Sequence, residues 1–122
     1  MIEKEAGADS ERDLIASVIY NRLKSSSFPN LQIDATIYYA MLMNGDADKK
    51  IVTDYDSPYN TYTCEGLPPG PIANAGIASI RAALYFDDTD YYYYALGLEG
   101  THEFFKTHAA FDAFVNSDQY GG

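Results

Sequence analysis

The chain has 122 residues, a formal charge of −10, a hydrophobic content of 47%, twelve tyrosines and no tryptophan. That length and composition describe one globular domain, and the acidic balance excludes nucleic acid and an anionic membrane surface as docking partners, since both require a basic face. Cys64 is alone and there are two histidines, which excludes an internal disulfide and leaves too few ligands for a metal centre.

The chain opens with Ile2-Glu3-Lys4-Glu5-Ala6. On a helix Glu3 and Glu5 would lie about 200° apart around the axis, so one at most can face a cleft. The spacing does not choose between them, and both read equally well as solvated charges. Ser10 with Asp13 resembles a capping box, and Leu14, Ile15, Val18, Ile19 and Leu23 recur at helical spacing. Together they predict a helix from Glu11 to about Lys24, ended by Ser25-Ser26-Ser27 and Pro29. Arg22, on its polar flank, is expected to pair with Asp13 or Glu11. Asp34 reads as the N-cap of a second helix with a buried stripe of Ile37, Tyr38, Met41 and Leu42, closed by Asn44-Gly45. Asp46 to Pro58 reads as a polar, irregular surface loop.

From Tyr59 to Gly76 the sequence is punctuated by proline and glycine, which bars both a helix and an interior strand. A stiff loop carrying Tyr59, Asn60, Tyr62 and Asn74 is suited to lining a groove for a polar ligand, although taken alone it also reads as a plain turn between strand and helix, and Asn74 can equally cap the helix that follows. That third helix spans Gly76 to Tyr85, with Ile77, Ile80, Ala83 and Leu84 on one face. Tyr91 to Leu96 is β-rich, Gly97-Leu98-Glu99-Gly100 offers a turn, and His102 to Phe105 can return as the partner strand. Within such a strand Tyr91 and Tyr93 face one side, Tyr92 and Tyr94 the other; one pair is expected to pack and the other to stay partly wet. Ala109 to Val115 is a last short helix, and Gly121-Gly122 is expected to fray. The expected class is α+β: several helices around a small antiparallel sheet or hairpin, one domain over residues 1–122 of the size of a lysozyme-like catalytic domain. No apolar run approaches the ~20 residues of a membrane-spanning helix.

Five segments in order carry a resemblance: Glu3-Lys4-Glu5, Ser10 to Leu23, Leu31-Gln32-Ile33-Asp34, Ser57-Pro58-Tyr59-Asn60-Thr61-Tyr62, and Gly66-Leu67-Pro68-Pro69-Gly70-Pro71-Ile72. They are similar to the catalytic domain of the endolytic murein transglycosylases, the MltG/YceG-like family. The resemblance breaks the tie between the two glutamates, because the second glutamate of the family's motif is catalytic, here Glu5. It implies that this group protonates the oxygen between N-acetylmuramic acid and N-acetylglucosamine and then takes the proton of the muramyl C6 hydroxyl, leaving a 1,6-anhydromuramyl end. No cofactor is implied. Gln32, Tyr59, Asn60 and Tyr62 are candidates for orienting the sugar, with Asn74 beside them. Asp34 is the second carboxylate if the enzyme hydrolyses instead, against its reading as an N-cap. Murein also carries carboxylates, so neutral hydrogen bonds and ring contacts are expected to hold the strand. The implied partners are glycan strands and cell-wall synthases, at the extracytoplasmic face of the bacterial cytoplasmic membrane. The family's membrane helix and small LysM-like domain are not in this sequence, and Met1 reads as the start of a fragment.

Three rival readings stand beside this one. A glycan-binding module would use the same loop without turnover, and a scaffold for cell-wall synthases is compatible with catalysis. An aminodeoxychorismate lyase would need pyridoxal phosphate on a Schiff-base lysine, yet Lys4, Lys24, Lys49, Lys50 and Lys106 all lie in polar contexts. It ranks last.

Overall fold

Helix α2 (Arg12–Lys24) runs through the middle of the domain in a computed structural model that describes residues 1–122. Ile15, Ala16, Val18 and Ile19 are buried along it, and so are Ser17 and Arg22. The apolar stripe packs on Leu31 and Ile33, with Ile2, Ala6, Tyr94 and Phe104 around that cluster. The buried polar side holds an extended segment in place. Ser17 Oγ meets Thr89 Oγ1 at 2.6 Å, and Asn21 donates to the carbonyls of Thr89 at 2.7 Å and Tyr91 at 2.9 Å. A helix interior made of both stripes has little amphipathic contrast, because it is enclosed on most sides.

The one-turn α1 (Ile2–Glu5) and α4 (Ile77–Leu84) pack against one flank of α2. Arg12 links all three: its Nη1 donates to Glu3 Oε2 at 3.1 Å and to Ser79 Oγ at 2.6 Å. A 3-10 turn at Asp9–Glu11 precedes α2, and the expected Ser10–Asp13 capping pair is not used. Glu11 instead reaches back to the Ala8 N–H at 3.3 Å.

The other helices follow their expected spans more closely than their expected faces. On α3 (Asp34–Met43) the buried residues are Thr36, Ile37, Ala40 and Met41, whereas Tyr38 and Leu42 are exposed. Asn44 and Gly45 end it, with Gly45 at φ 79°, a left-handed conformation suited to glycine. On α4 the buried residues are Ser79 and Ala82, while Ile77, Ile80 and Leu84 are exposed. Part of that apolar face borders an open cleft between α2 and α4, lined by Ile19, Tyr20, Leu23, Ile80 and Leu84 among others.

The hairpin pairs β1 (Tyr93–Leu96) with β2 (His102–Phe105) in antiparallel register, Tyr94 opposite Phe104 and Leu96 opposite His102. Helix α5 (His108–Val115) covers it, capped by Thr107, whose hydroxyl accepts from the Ala110 N–H at 3.2 Å. None of Tyr91 to Tyr94 is fully wet: Tyr93 stacks on Phe111 and Tyr94 meets His102 edge-on. The C-terminus is tied down where fraying was expected. Tyr120 bridges to Gly97, and the Gly121 N–H donates to the Leu96 carbonyl at 2.8 Å. The domain is α+β, five helices and a two-stranded antiparallel sheet.

Candidate active site

The chain leaving α1 is held by one buried carboxylate. Glu11, 5% exposed, accepts from the Gly7 N–H at 3.0 Å and the Ala8 N–H at 3.3 Å. It also accepts from the His102 N–H, and its Oε2 pairs with His102 Nδ1 at 3.0 Å. Burial pushes the Glu11 carboxyl up, and the bonds from His102 and Gly7 outweigh that, holding it below the usual carboxylate range. Gly7 has no room for a side chain, since a Cβ would come within 2.6 Å of the Gly100 carbonyl oxygen. The turn after Glu5 is thereby fixed against the hairpin.

The two glutamates of α1 diverge. Glu3 faces α4, where Oε2 accepts from Arg12, from the Ser79 hydroxyl and from the Gly76 N–H. The Ser79 and Gly76 bonds, with Arg12, hold its carboxyl below the usual range. Glu5 turns the other way, into a groove of about 650 Å³ between the hairpin and the start of α3. Its Oε2 accepts the Tyr94 hydroxyl at 2.7 Å. Burial pushes the Glu5 carboxyl up; the Tyr94 bond opposes this and the nearby charge of Asp34 adds to it. Burial, followed by the Glu5 charge, drives the Tyr94 phenol well above its ordinary value. Tyr94 is therefore a donor to the carboxylate across the working pH range.

Asp34, Tyr62 and Gln32 form the facing wall. Asp34 is the first residue of α3 rather than its cap; the N-cap is Ile33, with no side-chain capping bond. The Asp34 carboxylate instead accepts the Tyr62 hydroxyl at 2.6 Å. Tyr62 is aimed by a pinned loop. Thr61 Oγ1 accepts from the Ile33 N–H at 2.9 Å, and Asn30 Nδ2 donates to the Tyr62 carbonyl at 2.8 Å. Gln32 sits at φ 55°, a left-handed backbone that costs a non-glycine residue about 1 kcal/mol. Its exposed side chain borders the groove.

Arg22 does not pair with Asp13 or Glu11. It is 8% exposed, with Nε donating to the Tyr92 carbonyl at 2.6 Å and Nη1 to Leu31 at 3.2 Å and Asn30 at 3.4 Å. Burial draws its pKa down from the ordinary value, with the phenol of Tyr93 the main opposing neighbour. It stands where the groove opens into a recess of about 400 Å³.

Of the residues expected at a site, the structure brings Glu5, Gln32, Asp34 and Tyr62 to one groove. Asn60 lies outside it and is fully buried. Its amide nitrogen donates to the carbonyls of Thr53 and Tyr55, and its oxygen accepts from the Tyr62 N–H at 2.9 Å, so it shapes the loop and has no atom free for a ligand. Tyr59 packs on Tyr39, with ring centroids 5.0 Å apart. Asn74 neither caps α4, whose N-cap is Gly76, nor faces the groove; its neighbours Ala73 and Ala75 border the cleft between α2 and α4. The proline-rich half of the loop thus lies elsewhere than expected. Tyr94 and the Glu11–His102 pair escaped the sequence reading, and Arg22 is buried against backbone carbonyls where an ion pair along its own helix was expected. The strand alternation that groups Tyr92 with Tyr94 was the available signal for the first.

A family model described as the YceG-like family matches residues 1–117. The endolytic murein transglycosylase of Bacillus subtilis strain 168 is 48% identical over 107 residues, which is 88% of this chain and 29% of that protein. The endolytic murein transglycosylase of Streptococcus pneumoniae D39 is 36% identical over 99 residues, 77% of this chain and 18% of its own length. The chain thus spans less than a third of either relative. The 2.6 Å crystal structure of a yceG-like protein from Listeria monocytogenes superposes with a TM-score of 0.80 at 43% identity, over 93% of this chain and 36% of that one. With a match that runs from α1 through α5 and a shared fold, this chain belongs to the YceG-like family.

Proposed function

We propose that this domain is the catalytic part of an enzyme that cleaves the glycan strands of murein as a lytic transglycosylase, with Glu5 acting first as acid and then as base. The observation that carries the reading is the environment of Glu5: a carboxyl in a groove, raised above its ordinary pKa by burial and by Asp34, and held by one oriented donor, Tyr94. Such a group keeps its proton to a higher pH than an ordinary glutamate and can give it to a glycosidic oxygen. The carboxylate it becomes is the base needed for the muramyl C6 hydroxyl, whose attack on the anomeric carbon closes the 1,6-anhydro ring. No water enters, and the proton returns to Glu5.

In this reading Asp34, with Tyr62 bound to it, keeps negative charge beside the groove, which favours the positive charge that develops on the sugar in the transition state. Gln32 and Tyr62 meet the sugar substituents, while Asn60 positions Tyr62. The substrate places the reaction on the extracytoplasmic side of a bacterial membrane, where cell-wall synthases are candidate partners. No helix here is long and apolar enough to cross a membrane.

The test is digestion of purified murein, with the products weighed. Anhydromuramyl ends are lighter by one water than reducing ends. Glu5→Gln should lower the rate by ~10²–10⁴, whereas Glu3→Gln, on the α4 side, should change stability and leave the rate per folded molecule near wild type. Hydrated ends would transfer the reading to two-carboxylate hydrolysis with Asp34 as the partner. Full activity in Glu5→Gln removes it as the catalyst.

A further inference from the structure

The recess beside the groove carries a feature that the acid–base chemistry of Glu5 leaves unused. Arg22 is a buried cation with no carboxylate partner: Nε and Nη1 go to backbone carbonyls, and its Cζ lies 5.4 Å from the Phe28 ring and 5.0 Å from the Tyr93 ring. Nη2 makes no hydrogen bond, and no buried polar side-chain atom lacks a partner, so Nη2 is left to solvent or a ligand. His108, the first residue of α5, stands on the same recess together with Ser27 and Gln32. The chain has 18 acidic residues against 8 lysines and arginines, yet none of the nine residues lining the recess is acidic. Arg22, Gln32, Tyr62, Tyr93 and His108 belong to both the recess and the groove that holds Glu5.

We propose that this recess is an anion subsite of the groove, taking a carboxylate borne on the muramyl side chain. That carboxylate is either the lactyl group of a bare strand or an amino-acid carboxylate of a stem peptide. A desolvated guanidinium with a free nitrogen donates charge-assisted bonds that are stronger than neutral ones. The positive end of the α5 dipole favours the same sign of charge, and the His108 ring N–H, the Ser27 hydroxyl and the Gln32 amide add donors. Capture there sets the register of the strand along the groove, so that the bond to be cut meets Glu5. An overall charge of −10 opposes an anionic polymer at long range, but salt screens that repulsion and leaves the local contact. The choice of ligand rests on the function proposed above; the affinity for a carboxylate does not depend on turnover.

The test is calorimetric titration with three soluble ligands: N-acetylglucosaminyl-N-acetylmuramic acid with a free lactyl carboxylate, its dipeptide derivative with free carboxylates, and that dipeptide fully amidated. One of the two acids should bind about tenfold more tightly than the amide, and whichever does so identifies the source of the carboxylate. Arg22 also holds three backbone carbonyls, so the variant tested is the exposed His108→Glu, which places an acid in the recess and should abolish the advantage. Ala113→Glu adds the same charge on α5 at an exposed position outside the recess and should retain it. Equal affinity for acids and amide, an advantage that survives His108→Glu, or no binding of any of the three overturns the subsite. Failure of the transglycosylase reading shows separately, in the masses of murein digested by the same protein.

Discussion

The Tyr94 hydroxyl lies 2.7 Å from Glu5 Oε2, across a sequence separation of 89 residues, and it opposes the burial that raises the Glu5 carboxyl. A carboxyl on a one-turn helix is thereby oriented by a strand from the far end of the chain. Glu11 supports that contact by tying the turn after α1 to the beginning of β2. Two carboxylates of the same segment thus carry opposite shifts, Glu5 raised and Glu11 lowered.

The raised pKa of Glu5 fixes the sign of one stability measurement. A group whose folded-state pKa exceeds its unfolded value contributes stability that is complete below the unfolded pKa and is lost as pH rises through the folded one. Above the unfolded pKa the buried carboxyl of Glu5 therefore weakens the fold. Glu5→Gln keeps an oxygen for Tyr94 and is never charged, so its Tm at pH 7 should exceed that of wild type. The gain should vanish below pH ~4, where an ordinary glutamate is protonated in both states. Thermal melts across that range check it; a lower Tm at pH 7 would show that ionised Glu5 is a net stabiliser.

Glu11 has the opposite sign. Its folded-state pKa is lowered, so its contribution is present above the unfolded pKa and is lost as pH falls through the folded one. Glu11→Ala leaves the N–H groups of Gly7, Ala8 and His102 without their acceptor in a mostly buried place. The expected cost is about 2–4 kcal/mol at pH 7, read from urea unfolding. The wild type's advantage over Glu11→Gln should narrow in acid, because Gln retains an acceptor without the titrating charge.

Helix spans were legible because their signals are local: apolar spacing, Ser25-Ser26-Ser27 and Pro29 after α2, Asn44-Gly45 after α3. The buried faces of α3 and α4 were not, because they are set by what each helix packs against. Ser79 is buried by its bonds to Arg12 and Glu3, 67 and 76 residues away, and these leave the isoleucines of α4 outward. The same distance hid half of the site. Helical spacing let at most one of Glu3 and Glu5 face a cleft, and resemblance to a family chose Glu5. The physical distinction, Arg12 on one side and Tyr94 on the other, comes from elements that no local window contains. Asp34 read as a cap for the same reason: its partner Tyr62 lies 28 residues on.

Asn60 separates a positioning role from direct contact with the sugar. Its side chain is fully buried and bonded to Thr53, Tyr55 and Tyr62. Asn60→Ala should cost about 2–3 kcal/mol through the groups it leaves unpaired. Activity should fall only as far as the loop carrying Tyr62 loosens. Restoring the fold at lower temperature should recover most of the rate. A variant that melts like wild type but turns over far more slowly would return Asn60 to the sugar-binding set.

Asp34 as a neighbouring charge and Asp34 as a second catalyst predict different pH profiles. The alkaline limb of kcat/KM reports ionisation of the free enzyme's acid, assigned here to Glu5. Tyr94→Phe removes a bond that favours the carboxylate while keeping the ring against His102 and Phe104. The limb should move to higher pH. Asp34→Asn removes a negative charge that disfavours the carboxylate, so the limb should move to lower pH, with the rate at the optimum within about tenfold of wild type. Opposite displacements from two substitutions in one groove are difficult to obtain through general loosening, which would depress the whole profile without ordering its limbs. If Asp34 were the base or nucleophile of a hydrolysis, Asp34→Asn would instead lose ~10²–10⁴ at every pH. Profiles of murein release for wild type and the two variants, normalised to folded protein, decide between the two roles.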